Sequence, residues 1–437
     1  MLVVLLGFLI VMLVGAFLLA LPISNTGGKW MKFPDAAFTA SSAVCVTGLI
    51  VRPTAVAFSP FGQAVLIILI QIGGLGIMTL ATLVFIILGK RITLKDRLAI
   101  QEALGQDHIK GIVRLVRNIA VMTGIIELAG ILLLIPVFCY KNGAIGIWQA
   151  VFTSISAFCN AGFDIMGTVD SPYASLTDFK TNPFVLLVIS ALIIFGGLGF
   201  TVIREIKDKR FKYGRFSMHT KIVLIMSLIL IVFGTLFFLG SEFNSPALYG
   251  LNGGQKLINC FFQSVTARTA GFNAVDQNLL SGSGKTFTCI LMFIGASPGG
   301  TGGGIKTTTF AVIILAAFAG ICGKDEIVVA KNAIKTKTLY RAFAITVFAA
   351  LLVLICVLAI SATDGSVPSG YIVFDVVSAF GTVGLSMGIC PALTTLAKFL
   401  LMLVMFIGRL GPLSIGMIFA RRDRAKVKYP SGNIMIG

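Results

Sequence analysis

Long apolar runs alternate along this chain with short stretches rich in basic residues. Ala64–Leu88, Phe184–Phe200, Ile222–Leu239 and Phe343–Ile360 are predominantly apolar, and about as long as a helix needs to cross a bilayer, roughly 17–25 residues. No stretch alternates apolar and polar positions with period two, so helices rather than strands are expected. In lipid only helices or closed barrels satisfy their own backbone groups, and the expected fold is therefore an all-α membrane protein. The first run, Met1–Leu21, has neither a basic leading segment nor a small-residue cleavage site. It reads as a retained transmembrane helix rather than a secretory signal.

A repeat organises these runs. Four octets align without a gap: Ser42–Leu49 (SAVCVTGL), Ser156–Phe163 (SAFCNAGF), Val265–Phe272 (VTARTAGF) and Ser378–Leu385 (SAFGTVGL). Their glycines, Gly48, Gly162, Gly271 and Gly384, fall 114, 109 and 113 residues apart. A second landmark follows each octet: Ile72–Gly76 (IGGLG), Phe195–Gly199 (FGGLG) and Ile407–Gly411 (IGRLG), with Ile294–Pro298 (IGASP) at the same place in the third copy. Each copy reads as a transmembrane helix, a short apolar segment ending in the octet, and a second transmembrane helix with glycines mid-span. The short segments Trp148–Phe158, Gly254–Thr266 and Tyr371–Phe380 are too short to cross and suit re-entrant helices. The expected architecture is four consecutive helix–pore loop–helix repeats around one central pore, potassium-channel-like, with eight transmembrane helices and four re-entrant pore helices. The predicted boundaries are 1–90, 91–204, 205–323 and 324–424, with a cytoplasmic tail at 425–437.

Composition strengthens the membrane reading: 57% of the 437 residues are hydrophobic and 12% charged, against about 25% charged in a typical soluble domain. The formal net charge of +18 raises the possibility of nucleic-acid binding, but its distribution excludes that. Lys90–Arg117 and Arg204–Lys221 hold seven Lys or Arg each, and Lys324–Arg341 and Arg421–Lys428 five each. Each cluster follows a long apolar run, which is the bias that keeps basic loops cytoplasmic. All four repeats then run in the same direction in a multi-pass cell-membrane protein with both termini cytoplasmic, and the partner of the charge is the lipid bilayer. Eight cysteines without a C-x-x-C pair, and only two histidines, give no zinc or redox site.

The octets suit a dehydrated monovalent cation. Rings of backbone carbonyls replace its lost water, and glycine takes the backbone angles that aim them inward without steric cost. The filter candidates are Val46, Thr47 and Gly48; Asn160, Ala161 and Gly162; Thr269, Ala270 and Gly271; and Thr382, Val383 and Gly384. Potassium is expected at the carbonyls of Thr47, Asn160, Thr269 and Thr382. No Asp or Glu lies in an octet, so selection would rest on carbonyls, and each pore helix aims its partly negative C-terminus at the cavity.

These residues resemble the superfamily of Trk, Ktr and HKT potassium transporters over essentially the whole chain, and most closely the KtrB-type membrane subunits of bacterial Ktr uptake systems. The resemblance implies potassium uptake, a homodimer with one pore per subunit, and a cytosolic ring of nucleotide-binding KtrA-like regulatory partners. No covalent cofactor is implied; potassium is the transported ion, sodium a candidate activator, and nucleotide binds only through the partner. Thr382-Val383-Gly384 alone keeps the T-V-G of a potassium channel filter, which points to fewer ordered ion sites. Relatives that favour sodium carry Ser at the first filter glycine, so Gly48 favours potassium.

The third repeat's second helix is interrupted near 295–307. Five glycines among the six residues Gly299, Gly300, Thr301, Gly302, Gly303 and Gly304 cannot hold a helix, since each costs about 1 kcal/mol relative to alanine. With Lys306 they form a candidate gate, and the resemblance implies an intramembrane gating loop there; a passive hinge is the alternative. Arg409 lies mid-span in the fourth repeat, where a charge needs a cavity or partner. A positive charge below a cation filter would raise the barrier to conduction, as the resemblance also implies. Arg268 reads instead as one half of a pair that fixes loop geometry, with Asp164 or Asp375 as candidate partner.

Ser281–Thr286 (SGSGKT) mimics a phosphate-binding loop but has Leu279 where the pattern needs glycine. The 299–304 run lacks dinucleotide-binding spacing, and no span carries a nucleophile–base pair or metal cluster, so an enzyme is not expected. Two functions remain: a gated cation-conducting subunit, and a sodium-coupled potassium carrier (symporter) with alternating access. Carriers typically use inverted repeats, and parallel repeats favour the first.

Overall fold

The computed structural model describes residues 2–76, 79–80, 82–83, 112–324, 326–329 and 332–411. Basic positions 90–111, the cluster Arg421–Lys428 and the tail at 425–437 lie outside the described residues.

Helix, shorter helix, irregular loop and further helix succeed one another four times. The first set is α1 (Leu2–Ala20), α2 (Phe33–Val44), the single turn α3 (Thr54–Ala57) and α4 (Pro60–Leu75). The second is α5 (Ile112–Asn142), α6 (Ile145–Cys159), α7 (Pro183–Leu198) and α8 (Phe200–Asp208). The third is α9 (Met218–Glu242), α10 (Gly253–Thr266), α11 (Gly282–Phe293) and α12 (Thr307–Ile321). A two-residue hairpin, β1 (Val328–Val329) against β2 (Asn332–Ala333), precedes α13 (Thr336–Thr363), α14 (Ser369–Gly381) and α15 (Thr395–Leu410). Polar side chains start many of these helices: Ser59, Asn182, Ser217, Ser281 and Thr394 each accept from a first-turn N–H. Ser281 thus caps α11, with Glu242 accepting from its N–H.

Packing closes these elements into a ring. α4 packs on α6, α7 on α10, α11 on α14, and α15 returns to α2. The helix after each loop therefore supports the short helix of the next set, and the fourth supports the first. The centre is tight: Val44, Phe158, Ala267 and Phe380, at one register position of the four octets, are all fully buried. The periphery is the reverse, since Ile125 and Leu132 on α5, Leu228 and Leu236 on α9, and Ile355 and Leu358 on α13 are exposed. Apolar surface of that extent is what lipid covers.

Among the described residues, three helices are long and apolar enough to cross a membrane unbroken: Val113–Asn142, Met218–Glu242 and Thr336–Thr363. α7 and α8 make a fourth only as a pair bent by 94°. The glycines expected mid-span in the second helices prove to be helix ends. α4, α7 and α15 stop at Leu75, Leu198 and Leu410, and the next residues, Gly76, Gly199 and Gly411, have φ of 82°, 94° and 85°. With ψ of 140°, 135° and 135° these residues adopt a backbone open essentially to glycine alone, which ends the helix there. The interruption expected in the third repeat alone thus has a counterpart in the others.

The glycines three residues earlier have a different cause. A methyl group on Gly73, Gly196 or Gly408 would lie 2.1, 1.9 or 2.0 Å from the carbonyl oxygen of Val44, Phe158 or Phe380. Backbone meets backbone there, and nothing flexible can yield. Gly408→Ala is expected to destabilise the chain by about 1–3 kcal/mol through overpacking, whereas Gly214→Ala, with open space around it, leaves stability unchanged. Thermal unfolding of the detergent-solubilised variants checks both; equal midpoints would contradict this packing.

Candidate functional site

The four octets leave the C-termini of α2, α6, α10 and α14 and meet at the centre of the ring. In each, the fifth residue is left-handed without being glycine: Val46 (φ 58°), Asn160 (58°), Thr269 (82°) and Thr382 (49°). Seven non-glycine residues among those described have positive φ, and more than half of them sit at this one register position. Such backbone costs about 1–3 kcal/mol per residue and persists where the surroundings enforce it. The glycine two residues on is also left-handed, at 89°, 68°, 78° and 96°. Successive residues of an ordinary strand turn to opposite sides; reversing every second φ cancels that alternation and lets successive carbonyls face one way.

Hydrogen bonds hold the loops in this shape. The N–H groups of Thr47, Ala161 and Val383 donate to the carbonyls of Ser42, Ser156 and Ser378 at 2.8–2.9 Å. The Ser42 and Ser378 hydroxyls accept from Gly48 and Gly384 at 3.1 and 3.0 Å. Asp375 accepts from the Ser386 hydroxyl at 2.7 Å and the Met387 N–H at 2.9 Å, tying the far end of the fourth loop to α14. At the first loop Asp35 bridges Arg52, at 3.2 Å, and Lys398 of α15, at 3.3 Å.

The loops form a closed cycle. A methyl on Gly48 would lie 2.5 Å from the Ala161 carbonyl oxygen, on Gly162 2.7 Å from that of Ala270, on Gly271 2.1 Å from that of Val383, and on Gly384 2.3 Å from that of Thr47. All twelve filter candidates are therefore brought together. The carbonyls these glycines meet are those of Thr47, Ala161, Ala270 and Val383; of the expected set, Thr47 is among them, while Asn160, Thr269 and Thr382 stand one residue earlier in their octets. The octet alignment already contained that register, because Asn160, Thr269 and Thr382 align with Val46.

The segment 294–306, between α11 and α12, lies against this cycle. The Gly303 N–H donates to the Thr382 hydroxyl at 2.8 Å, and a methyl on Gly302 would lie 2.3 Å from the Thr269 hydroxyl oxygen. Its ends are drawn together by Gly295 N–H to Ile305 carbonyl, 2.8 Å, and by the Ser297–Thr307 hydroxyl pair, 2.9 Å. One flank docks on the break after α7: Ser297 N–H donates to the Gly197 carbonyl at 3.0 Å, Thr301 N–H to that of Gly196 at 3.1 Å, and Phe200 N–H to that of Gly299 at 3.0 Å. The Lys306 ammonium donates to the Gly302 carbonyl at 2.7 Å. The candidate gate residues thus form one hydrogen-bonded loop that touches three of the four octets, since the Thr301 hydroxyl also donates to the Phe158 carbonyl at 3.2 Å.

Arg409, in the last turn of α15, binds this loop to the first repeat. Its guanidinium donates to the carbonyls of Thr301 and Gly73, and to that of Gly74 at 3.3 Å. The charge is held by carbonyls and stands beside the loop. Arg268 corrects an expectation: it faces Ser227 of α9, at 3.4 and 3.5 Å, and pairs with neither carboxylate. Asp375 is engaged as described, and Asp164 accepts from the Met166 N–H at 3.1 Å. The Gly73 and Gly196 carbonyls were missed as partners of the gate; their place in the glycine landmark was the available signal.

Arg409→Gln should free Thr301 from the Gly73–Gly74 end of α4. Amide hydrogen exchange across 295–306 is expected to rise about tenfold or more, the loss of one charge-assisted hydrogen bond. Unchanged protection would show that the loop does not depend on the arginine.

Comparison with known proteins agrees with this geometry. The TrkH cation transport protein family matches residues 11–429. The Ktr system potassium uptake protein B of Bacillus subtilis is 42% identical, over 99% of this chain and 95% of its own. The potassium/sodium uptake protein NtpJ of Enterococcus hirae is 38% identical, over 99% and 96%. The crystal structure of the potassium transporter TrkH from Vibrio parahaemolyticus superposes with a TM-score of 0.72 at 18% identity, covering 95% of this chain and 84% of that one, which establishes a shared fold. The cyclic arrangement of four matched loops and the match along nearly the whole sequence lead to one conclusion: this chain belongs to the TrkH family of cation transport proteins, which are transporters and not enzymes.

Proposed function

We propose that this chain takes up potassium across the cell membrane through a filter of backbone carbonyls at the centre of the ring. The observation that carries the reading is the closed cycle in which each octet's glycine abuts the carbonyl preceding the next octet's glycine. A ring of carbonyl oxygens supplies the ligands a dehydrated monovalent cation needs, and no octet carboxylate is present to attract divalent ions. Each octet supplies one carbonyl to the level of Thr47, Ala161, Ala270 and Val383, and one to the level of Val46, Asn160, Thr269 and Thr382. The names of the Bacillus and Enterococcus relatives, both potassium uptake proteins, support potassium as the cargo.

The 294–306 loop and Arg409 act as the gate on this reading. The loop blocks the route below Thr269 and Thr382, and the guanidinium beside it adds a positive charge to the path. α1, α5, α9 and α13 with the four loop-following helices make eight spans, the latter interrupted at the glycine breaks, while α2, α6, α10 and α14 enter the membrane without crossing it. The repeats run as 1–90, 91–204, 205–323 and 324–424, with both termini cytoplasmic. By analogy with the Ktr system in the name of the Bacillus relative, the chain works as a homodimer regulated by a cytosolic nucleotide-binding ring.

Sodium enters through the name of the Enterococcus relative, as an activator or second permeant ion. A sodium-coupled symporter with alternating access is the competing reading; the parallel ring, with one fixed central route, supports conduction past a gate instead.

Proteoliposomes containing this chain alone should pass potassium and rubidium over sodium by about tenfold or more, equivalent to about 1.4 kcal/mol of discrimination. Gly48→Ser should narrow that ratio, because a side chain there meets the Ala161 carbonyl. Deletion of Gly299–Gly304, or Arg409→Ala, should raise flux several-fold. Equal flux of all three cations, or unchanged flux in folded gate variants, would contradict the filter or the gate respectively.

A further inference from the structure

The break after α7 has a consequence outside the pore. At Gly199 the chain turns by 94°, so with α7 upright in the bilayer α8 runs parallel to the membrane plane. α8 has the character of an interfacial helix. Phe200 and Val202 are buried and Ile203 and Ile206 half-buried, while Lys207 and Asp208 are exposed.

The turn that follows is strongly basic, and its acids are already engaged. Asp208 pairs with Arg204 at 3.4 Å, and Glu205 accepts from the Ser217 N–H and hydroxyl at 2.8 and 2.7 Å. Neither is within ion-pair distance of Lys207, Arg210 or Lys212. Between Arg210 and Lys212 stands Phe211, 80% exposed. Arg210 and Phe211 have φ of 49° and 59°, consecutive left-handed residues that side chains disfavour. An aromatic ring held outward among free cations, at the end of a helix lying in the membrane plane, matches the chemistry of an anionic headgroup layer over acyl chains. An acidic protein surface would supply the charge but no apolar layer for the ring.

The same helix holds the gate loop. Its first N–H, that of Phe200, donates to the Gly299 carbonyl, and a methyl on Gly199 would lie 2.6 Å from the Pro298 carbonyl oxygen. We propose that α8 and the Lys209–Arg215 turn dock on anionic phospholipid headgroups of the cytoplasmic leaflet, and that this docking stabilises the loop in its blocking position. The inference rests on the gate reading above. A ligand shifts an equilibrium only by its preference for one state; here the preferred state is the one in which α8 lies flat and grips Gly299.

The test compares rubidium flux in vesicles of phosphatidylcholine alone with vesicles of an equal mixture with phosphatidylglycerol. Flux of the unmodified chain should fall about fivefold in the anionic vesicles, within the usual range of coupling between sites. The triple variant Lys207→Gln, Arg210→Gln, Lys212→Gln should lose that difference. A second triple variant, Lys324→Gln, Lys335→Gln, Lys337→Gln, should keep it, which separates docking from a general surface-charge effect. Native mass spectrometry of the detergent-solubilised chain should show phosphatidylglycerol retained by the unmodified protein and lost from the first variant. Flux indifferent to lipid charge, or an equal response in both triple variants, overturns the proposal. Sensitivity that arises only on adding an acidic cytosolic protein overturns it as well, and assigns the face to a protein. Absence of flux from folded protein in every vesicle contradicts the conduction reading instead, and mass spectrometry then decides the docking.

Discussion

Four contacts between a glycine in one loop and a carbonyl in the next organise the rest of the molecule. Backbone approaches backbone at Gly48, Gly162, Gly271 and Gly384 so closely that no side chain fits at any of the four. Irregular backbone is tolerated at membrane depth only where protein buries it or water lines it, and the surrounding helices supply the burial. The short helices deliver the loops to the centre, and the hydroxyls of Ser42 and Ser378 cap their amides. The loop-following helices press against the short helices through Gly73, Gly196 and Gly408. Left-handed valine and threonine at the fifth octet position are the cost of this arrangement, and the ring of packing contacts keeps them there.

The same economy of backbone contacts governs the 294–306 loop. Its glycines allow a compact turn, and its amides and carbonyls find partners on α7, on α8 and on Thr382. Arg409 is held by carbonyls of two segments far apart in sequence, Thr301 and Gly73–Gly74. A cation bound by uncharged groups keeps its full charge, whereas an ion pair would cancel it. On the proposed reading the tether and an electrostatic barrier would be two properties of one side chain. The loop also hydrogen-bonds to the helix break after α7, so a short chain of contacts links α8 to Thr382.

Much of this was legible in the sequence, for reasons visible in particular residues. The octet glycines could be aligned because only glycine satisfies both the left-handed angle and the missing space at Gly271 or Gly384. The glycine run at 299–304 stood out because its composition forbids a helix. The helix breaks at Gly76, Gly199 and Gly411 were hidden, since glycine is common within membrane helices and hydropathy continues past it. The partner of Arg268 was misread for a related reason: charge complementarity pointed to Asp164 or Asp375, while the fold placed Ser227 of a neighbouring helix nearest. That Thr47 aligns with Ala161, Ala270 and Val383 is visible in the sequence, whereas the meeting of each of these carbonyls with the glycine of a neighbouring octet is visible only in the cyclic packing.

The central claim is that the carbonyls at the middle of the ring hold a monovalent cation. Anomalous diffraction from crystals of this protein grown in rubidium tests it directly. The account predicts a peak on the axis, enclosed by the carbonyls of Thr47, Ala161, Ala270 and Val383, that fades when rubidium is replaced by sodium. Well-diffracting crystals with ordered loops and no peak on that axis would contradict it.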